Sequence, residues 1–297
     1  MANSLTSRGL YLGLRAFLGL GSRLPLRLTR TIGVPLGRAA LRLSASTRKR
    51  IRTHLEIAFP ELDRTDRNAL MRAVGRHFGL LLAEVSWLWR ASPEDVQALC
   101  ELKGGEHFVA AHEAGRGTVL VTAHCGNWEL LNSRLQCLGI PASIIVRRLD
   151  DPRIDEISTR LRTRFGAEVI HRDDRVGRRL IRVLADNRLI ALLIDQDLPG
   201  SAGVFVPFFG RPAWTPVGAA VLALRNGSPL IPTFGHRRPD GTHLVEVHPP
   251  IPIPSSGTRE SKVEELTAAA MAAIERQIRA HPEQWVWMHR RWRTQPD

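Results

Sequence analysis

The sequence predicts an α/β fold in which a mostly parallel central sheet is flanked by helices, with an N-terminal amphipathic helical segment. Three observations predict it. From Glu101 onward, short apolar, β-branched runs alternate with stretches of helical periodicity, the pattern of right-handed βαβ crossovers. One such run, Thr118 to Ala123, passes through a small polar turn straight into a helix, as a buried strand of this kind of sheet does. Residues 1–45 stand apart, rich in Leu, Gly and Arg. A chain of 297 residues has room for one large domain, read here as residues 46–297, with residues 1–45 as a basic appendage.

Met1 to His54 carries eleven Lys or Arg and no Asp or Glu, within a chain whose net charge is +13. So basic a segment is drawn to an anionic surface, whether membrane, nucleic acid or an acidic carrier protein. No uncharged run in residues 5–45 approaches the roughly 20 residues that span a bilayer. Arginines also interrupt the apolar stretch that a cleavable signal would need. Pro25 and Pro35 are expected to break the segment into short pieces. On a helical wheel Leu10, Leu14 and Phe17 fall opposite Arg8 and Arg15, which suits a helix lying in a membrane interface; packing on the protein's own core is the alternative.

Ser46 to Pro60 and Glu61 to Arg90 read as a helical hairpin covering the sheet. Its buried face is Leu70, Val74, His77, Phe78, Leu81 and Leu82, continued by Val85 and Trp89, with Trp87 and Trp89 assigned to the core. Glu101 to Ala114 gives a short strand and helix. After the Thr118 to Ala123 strand come a helix from near Asn127, a strand from Ala142 to Arg148, and a helix opened by Asp151-Pro152 and running through Arg164. A strand at Ala167 to His171, a helix from Val176 to Asp186 and a strand from Leu189 to Asp195 follow. Gly203 to Pro212 is either a buried strand or a loop lining an apolar groove. A helix from Thr215 to Arg225, a strand at Pro229 to Phe234, a surface loop from Pro249 to Gly257 and a helix from Lys262 to Ala280 complete the chain.

The chemistry gathers at His124-Cys-Gly-Asn-Trp-Glu129. Ligands of open α/β sheets bind outside the carboxyl ends of the strands, where this histidine emerges. Glu129, in the first helical turn, can turn back to fix the imidazole's tautomer, or it can simply favour the helix dipole. Cys125 offers a thiol, but a turn also needs a small residue there. Cys100, Cys125 and Cys137 match neither a metal knuckle nor a disulfide framework and fit a reducing, cytosolic setting. Asp195-Gln-Asp197 should reach the same sheet edge as His124, to support the site, orient arginines or chelate a divalent cation. Arg147, Arg162 and Arg164 follow on the next strand and helix. The tail from His281 to Arg293 interleaves three tryptophans with three arginines, Arg290 and Arg291 among them, a pattern compatible with single-stranded nucleic acid.

His124-Cys-Gly-Asn-Trp-Glu129 resembles the His-x-x-x-x-Asp/Glu motif of the glycerolipid and lysophospholipid acyltransferases, and most resembles their bacterial lipid A biosynthesis branch. The same branch is resembled by Leu55-Glu-Ile-Ala-Phe-Pro-Glu-Leu, by Asp151-Pro152 through Arg164, by Asp195 through Phe209, and by Pro282-Glu-Gln-Trp-Val-Trp-Met-His-Arg-Arg-Trp. The resemblance covers the chain from about Arg48 to its end. It implies O-acyl transfer from an acyl thioester, on acyl carrier protein or CoA, to a hydroxyl of a membrane lipid at the cytoplasmic face of the inner membrane. No acyl-enzyme, cofactor or metal is implied.

The implied catalytic pair is His124 as base with Glu129 orienting it. Arg162, with Arg164 as its rival two residues on, and Arg147, Asp195, Asp197, Arg290 and Arg291 hold substrate, while Val204, Phe205, Phe208 and Phe209 line an acyl groove. A lipid A precursor is the first acceptor, with phosphatidylinositol mannosides, other glycolipids or lysophospholipids behind it. Relatives acylating phosphatidylinositol mannosides carry Asp where this chain has Glu129, and lipid A enzymes commonly have a transmembrane helix that residues 1–45 lack. Two rivals differ in class: a metal-dependent glycosyltransferase using Asp195 and Asp197, and a non-catalytic basic membrane- or nucleic-acid-binding protein.

Overall fold

The computed structural model describes residues 4–172 and 176–296; Met1 to Asn3 of the basic segment and the side chains of residues 4–7 and of Leu10 fall outside what it describes. The chain opens with α1 (Ser4–Gly21) and α2 (Leu26–Leu43), followed by α3 (Ala45–Ala58) and the long α4 (Arg64–Leu88). Pro35, expected to break the segment, sits inside α2. The reason is tertiary. Gly33 and Gly37 of α2 press against Gly75 and Gly79 of α4 so closely that a Cβ on Gly33, Gly37 or Gly79 would strike backbone across the interface. Close packing of backbone on backbone offsets the lost hydrogen bond and the ring clash of a mid-helix proline, together about 3 kcal/mol.

The expected face of α4 is buried at Val74, His77 and Leu81 and half-buried at Leu70, Phe78 and Val85, whereas Leu82 is exposed. Conversely Glu84 and Ser86 are buried, because Arg30 of α2 reaches Glu84 and Gly21 at the end of α1 sits on Ser86. Trp87 and Trp89 are half-buried.

The sheet begins after a short capped helix that sequence reading passes over, α5 (Pro93–Leu99). Then come β1 (Cys100–Lys103), α6 (Glu106–Glu113), β2 (Thr118–Thr122), α7 (Trp128–Gln136), β3 (Ala142–Val146), α8 (Pro152–Thr163), β4 (Glu168–His171), α9 (Val176–Ala185) and β5 (Leu189–Leu193). A hairpin of β6 (Gly203–Phe208) and β7 (Arg211–Pro216) follows. Next are α10 (Gly218–Asn226), β8 (Leu230–Arg237), β9 (His243–Val247) and α11 (Arg259–Ala280).

The seven-stranded order is β1-β9-β8-β2-β5-β3-β4, parallel at every neighbouring pair except β8–β9. β2 lies in the middle and is buried along its whole length. Val119 and Val121 pack towards α9, α10 and α11, while Leu120 meets Leu130, Leu131 and Leu135 of α7 on the opposite face. Both layers are therefore covered, as a parallel sheet requires.

The hairpin makes Gly203 to Phe208 a strand, the first of its two readings, and overturns one expectation: Thr215 belongs to β7, so the next helix starts at Gly218. Its two-residue turn puts Phe209 at φ 51° and Gly210 at φ 70°, the primed geometry that twists a hairpin correctly. Phe209 bears the left-handed conformation because its N–H donates to Glu275 Oε2 at 2.6 Å and its ring packs between Phe59 and Trp287.

Candidate active site

β2 and β5 are paired neighbours with Thr122 opposite Leu193. Two residues beyond each partner stand His124 and Asp195, side by side at the carboxyl edge of the sheet. Asp195 Oδ2 accepts the backbone N–H of His124 at 2.9 Å, and Oδ1 accepts from its ring Nδ1 at 2.9 Å. The Trp285 indole donates to Oδ2 at 2.8 Å. Asp195 is wholly buried. Burial pushes its carboxyl up, but the His124 contacts and the Trp285 bond outweigh this and hold it below the ordinary aspartate value.

An ionised acceptor on Nδ1 fixes the proton there, so Nε2 presents a lone pair from a side chain that is 24% exposed. The Trp128 indole meets the imidazole edge-on, with centroids 5.1 Å apart.

The carboxylate on the imidazole is thus Asp195, a correction to the expected pairing of His124 with Glu129. Glu129 lies in the first turn of α7, where Arg162 of α8 takes it in a fork: Nε at 3.0 and 3.2 Å and Nη2 at 2.7 Å. Burial lowers the Arg162 pKa, yet the Glu129 charge and hydrogen bonds more than restore it, leaving it raised. Asn132 Nδ2 donates to Arg162 O at 3.2 Å, which fastens α7 to α8.

The remaining predicted residues separate. Arg164 donates to the carbonyls of Leu88 and Ala91 at 2.9 and 2.5 Å and braces the end of α4, so Arg162, not its rival, meets Glu129. Arg147 is exposed, 3.8 Å from Asp150. Arg290 is exposed, whereas Arg291 is fully buried and donates to Trp214 O and Thr215 Oγ1, both at 2.5 Å. Burial brings the Arg291 pKa down to about 10, against the pull of Asp195 and Asp197. Asp197 accepts the Thr294 N–H at 2.7 Å and its hydroxyl at 3.0 Å. Asp195 and Asp197 are therefore engaged with different protein donors, which does not suit a shared cation. Phe208 and Phe209 lie inside an aromatic core with Trp285 and Trp287, so only Val204 and Phe205 of the proposed groove keep exposed surface. Cys125 is buried, and its thiol is pushed well above its ordinary value by burial and then by Asp195.

Sequence reasoning missed Trp285 as the partner of Asp195; its place in a tryptophan-dense tail was the available signal. It missed His289 too, whose imidazole is brought down to about 4, chiefly by burial, and feels the charges of both Asp195 and His124.

A family model described as bacterial lipid A biosynthesis acyltransferase matches residues 4–294. The chain belongs to that family. The lipid A biosynthesis lauroyltransferase of Escherichia coli (strain K12) is 30% identical to this acyltransferase over 279 residues, covering 93% of this chain and 88% of that protein. A phosphatidylinositol mannoside acyltransferase of Mycobacterium tuberculosis (strain ATCC 25618 / H37Rv) is 30% identical over 194 residues, covering 64% of this chain and 58% of that one. The crystal structure of the 1-acyl-sn-glycerophosphate acyltransferase PlsC from Thermotoga maritima overlaps with a TM-score of 0.39 at 14% identity, over 86% of this chain and 99% of that one.

Proposed function

We propose that this acyltransferase moves a fatty acyl group from an acyl thioester to a hydroxyl of a lipid A precursor, with His124 as general base. The observation that carries the reading is the hold of Asp195 on Nδ1 of His124, which leaves Nε2 as the acceptor. Nε2 takes the proton of the acceptor hydroxyl as its oxygen attacks the thioester carbonyl. The tetrahedral adduct collapses, the C–S bond breaks, and the imidazolium returns the proton to the departing thiolate. The new bond is an ester, and no acyl-enzyme is needed because a thiolate leaves readily. General-base catalysis of this kind contributes about 10²–10⁴-fold.

Arg162 commits Nε and Nη2 to Glu129. In this reading Glu129 aims the guanidinium, whose Nη1 then meets the developing oxyanion or a phosphate of the substrate.

A lipid acceptor is supported by the N-terminal helices. Leu28, Ile32, Leu36 and Leu43 are exposed along one stripe of α2, beside exposed Arg27, Arg38 and Arg42. Leu12 and Leu20 of α1 are exposed as well. A cleft of about 700 Å³ between α1 and α8 combines Leu12 and Leu20 with Arg15, Arg23 and Arg160. Apolar stripes flanked by arginine suit a helix pair lying in an anionic membrane surface, here the cytoplasmic face of the inner membrane. No helix among the described residues is long and apolar enough to cross a membrane. The donor is acyl carrier protein or CoA, both acidic and both attracted to a chain of net charge +13.

A second acceptor, a phosphatidylinositol mannoside, is favoured by the 30% identity to the mycobacterial acyltransferase. One experiment tests the assignment: radiolabelled acyl thioesters are incubated with bacterial membrane lipid and either wild type or His124→Ala. Label in a lipid A species formed by the wild type alone is the expected result. Label in mannosides selects the second acceptor, and a fully active His124→Ala protein refutes the mechanism.

A further inference from the structure

Behind the turn that carries His124 lies a buried carboxylate that the reaction does not use. Glu84 interrupts the apolar run Leu80-Leu-Leu-Ala-Glu-Val of α4 and is 1% exposed. Four side chains from outside α4 converge on it. Arg237, at the end of β8, grips it with Nε and Nη2, each at 2.7 Å. Arg30 of α2 adds Nε at 3.0 Å and Nη2 at 2.8 Å. Asn127 donates Nδ2 to Oε2 at 3.0 Å, and His243 Nε2 of β9 lies 3.3 Å from the same oxygen. Burial pushes the Glu84 carboxyl up, but His243 and Arg237 overcome it and hold it well below the ordinary range.

Asn127 faces two ways. Its Oδ1 accepts the Leu130 N–H at 3.0 Å and so caps α7, while its Nδ2 reaches back to Glu84. The same turn is gripped from the other side. Gly126 N–H donates to Gln284 O at 2.9 Å, and the Gln284 side chain pairs with the backbone N–H and carbonyl of Arg237 at 2.8 and 3.0 Å. Gly126, at φ 57°, sits so close to Gly235 O that no Cβ would fit. The turn between His124 and Glu129 is thereby clamped onto β8, and Glu84 and Arg237 are the charged parts of the clamp.

A buried ion cluster is a poor way to gain stability, since apolar side chains of similar volume do as well or better. What a carboxylate supplies here that a leucine cannot is an acceptor for the Asn127 amide. We propose that Glu84 is a positioning residue for acyl transfer: it anchors Asn127 and so sets the turn that aims His124 and Glu129. The inference rests on the acyl-transfer reading of that site.

The test uses the full chain and Asn127→Ser, which keeps an oxygen to cap α7 but is one atom too short for its hydroxyl to reach Glu84 as the Asn127 Nδ2 does. The expected result is a fall in kcat of about 10²-fold, as for a small misplacement of reacting groups, with KM for the acyl donor and the melting temperature near wild type. Deuterium uptake at residues 124–131 should rise. Combining Asn127→Ser with Glu84→Leu, which leaves no acceptor, should lower kcat no further than the worse single change, because both cut one link. Wild-type kcat and exchange in Asn127→Ser, or losses that multiply in the double variant, overturn the proposal. Should the wild type itself transfer no acyl group, the acyl-transfer reading falls separately, and unchanged exchange at 124–131 would then overturn the anchor on its own.

Discussion

Asp195 holds His124 twice, accepting its backbone N–H and its ring Nδ1–H at 2.9 Å each, from the adjacent parallel strand. The backbone bond sets the height of the imidazole above the sheet edge and the ring bond sets its tautomer. Asp195→Asn keeps the shape but replaces one oxygen by a donor that cannot accept from Nδ1. The amide can then turn its N–H to Nδ1 and drive the proton onto Nε2, the wrong tautomer for a base. Transfer assays should show kcat reduced by about 10²–10⁴-fold, with circular dichroism unchanged. Activity within a few-fold of wild type would remove Asp195 from the mechanism.

The fork between Arg162 and Glu129 depends on guanidinium geometry. Lysine at Arg162 carries the charge but only a point contact. Arg162→Lys should therefore lose about tenfold or more in kcat/KM, as a bidentate pair worth about 1.5–3 kcal/mol is replaced. Glu129→Gln should lose a similar factor, and the double variant should fall well short of their product. Additive losses would mean the two side chains act separately.

Sequence and structure agree where the signal is local. The apolar run of β2, the polar turn and the start of α7 are neighbours in the chain, so His124 was legible as a residue at a strand end. Asp195 was legible as a group at the same edge, but its bond to His124 depends on β5 pairing with β2, and strand order is not a local property. That is why the nearer carboxylate, Glu129, drew the role. Arg162 stood out from Arg164 only through the resemblance. β9 and the Phe209 turn were not legible: β9 is defined by its antiparallel partner, and Phe209 holds φ 51° only because Glu275 and an aromatic cluster grip it. The buried sector of α4 around Glu84 was hidden because α2, which covers part of α4, was read as a separate appendage.

Three imidazoles make the protein acid-sensitive. Burial, the largest cause in each case, lowers His77 to about 3 and His236 and His289 to about 4. In the unfolded chain they titrate near 6.5. Between about pH 6.5 and 4 the unfolded chain thus binds more protons than the native one, so stability is full above that window and declines as the pH falls through it. Glu84 and Asp195, whose native values are lowered, add losses of the same sign at still lower pH. Urea midpoints measured from pH 7 to 4.5 should fall, and His77→Gln, which keeps an acceptor for Arg237 but does not titrate, should flatten the slope. A midpoint that rises on acidification contradicts the assignment.

The contact of α2 with α4 predicts opposite outcomes for one substitution at two helical glycines. Gly13 lies in α1 with nothing near the position a Cβ would take, so Gly13→Ala should gain about 0.5–1 kcal/mol from reduced chain entropy. Gly79→Ala has the same propensity benefit, but its Cβ would overlap Gly33 O and crowd Val34. A carbonyl in a helix cannot step aside without moving the helix, so overpacking of about 1–3 kcal/mol should win. Denaturant unfolding gives the two signs directly. Trypsin cleavage should quicken at Arg27 and Arg38 in Gly79→Ala alone, as α2 lifts from α4. Equal stabilisation by both alanines would mean that α2 does not rest on α4 through its glycines.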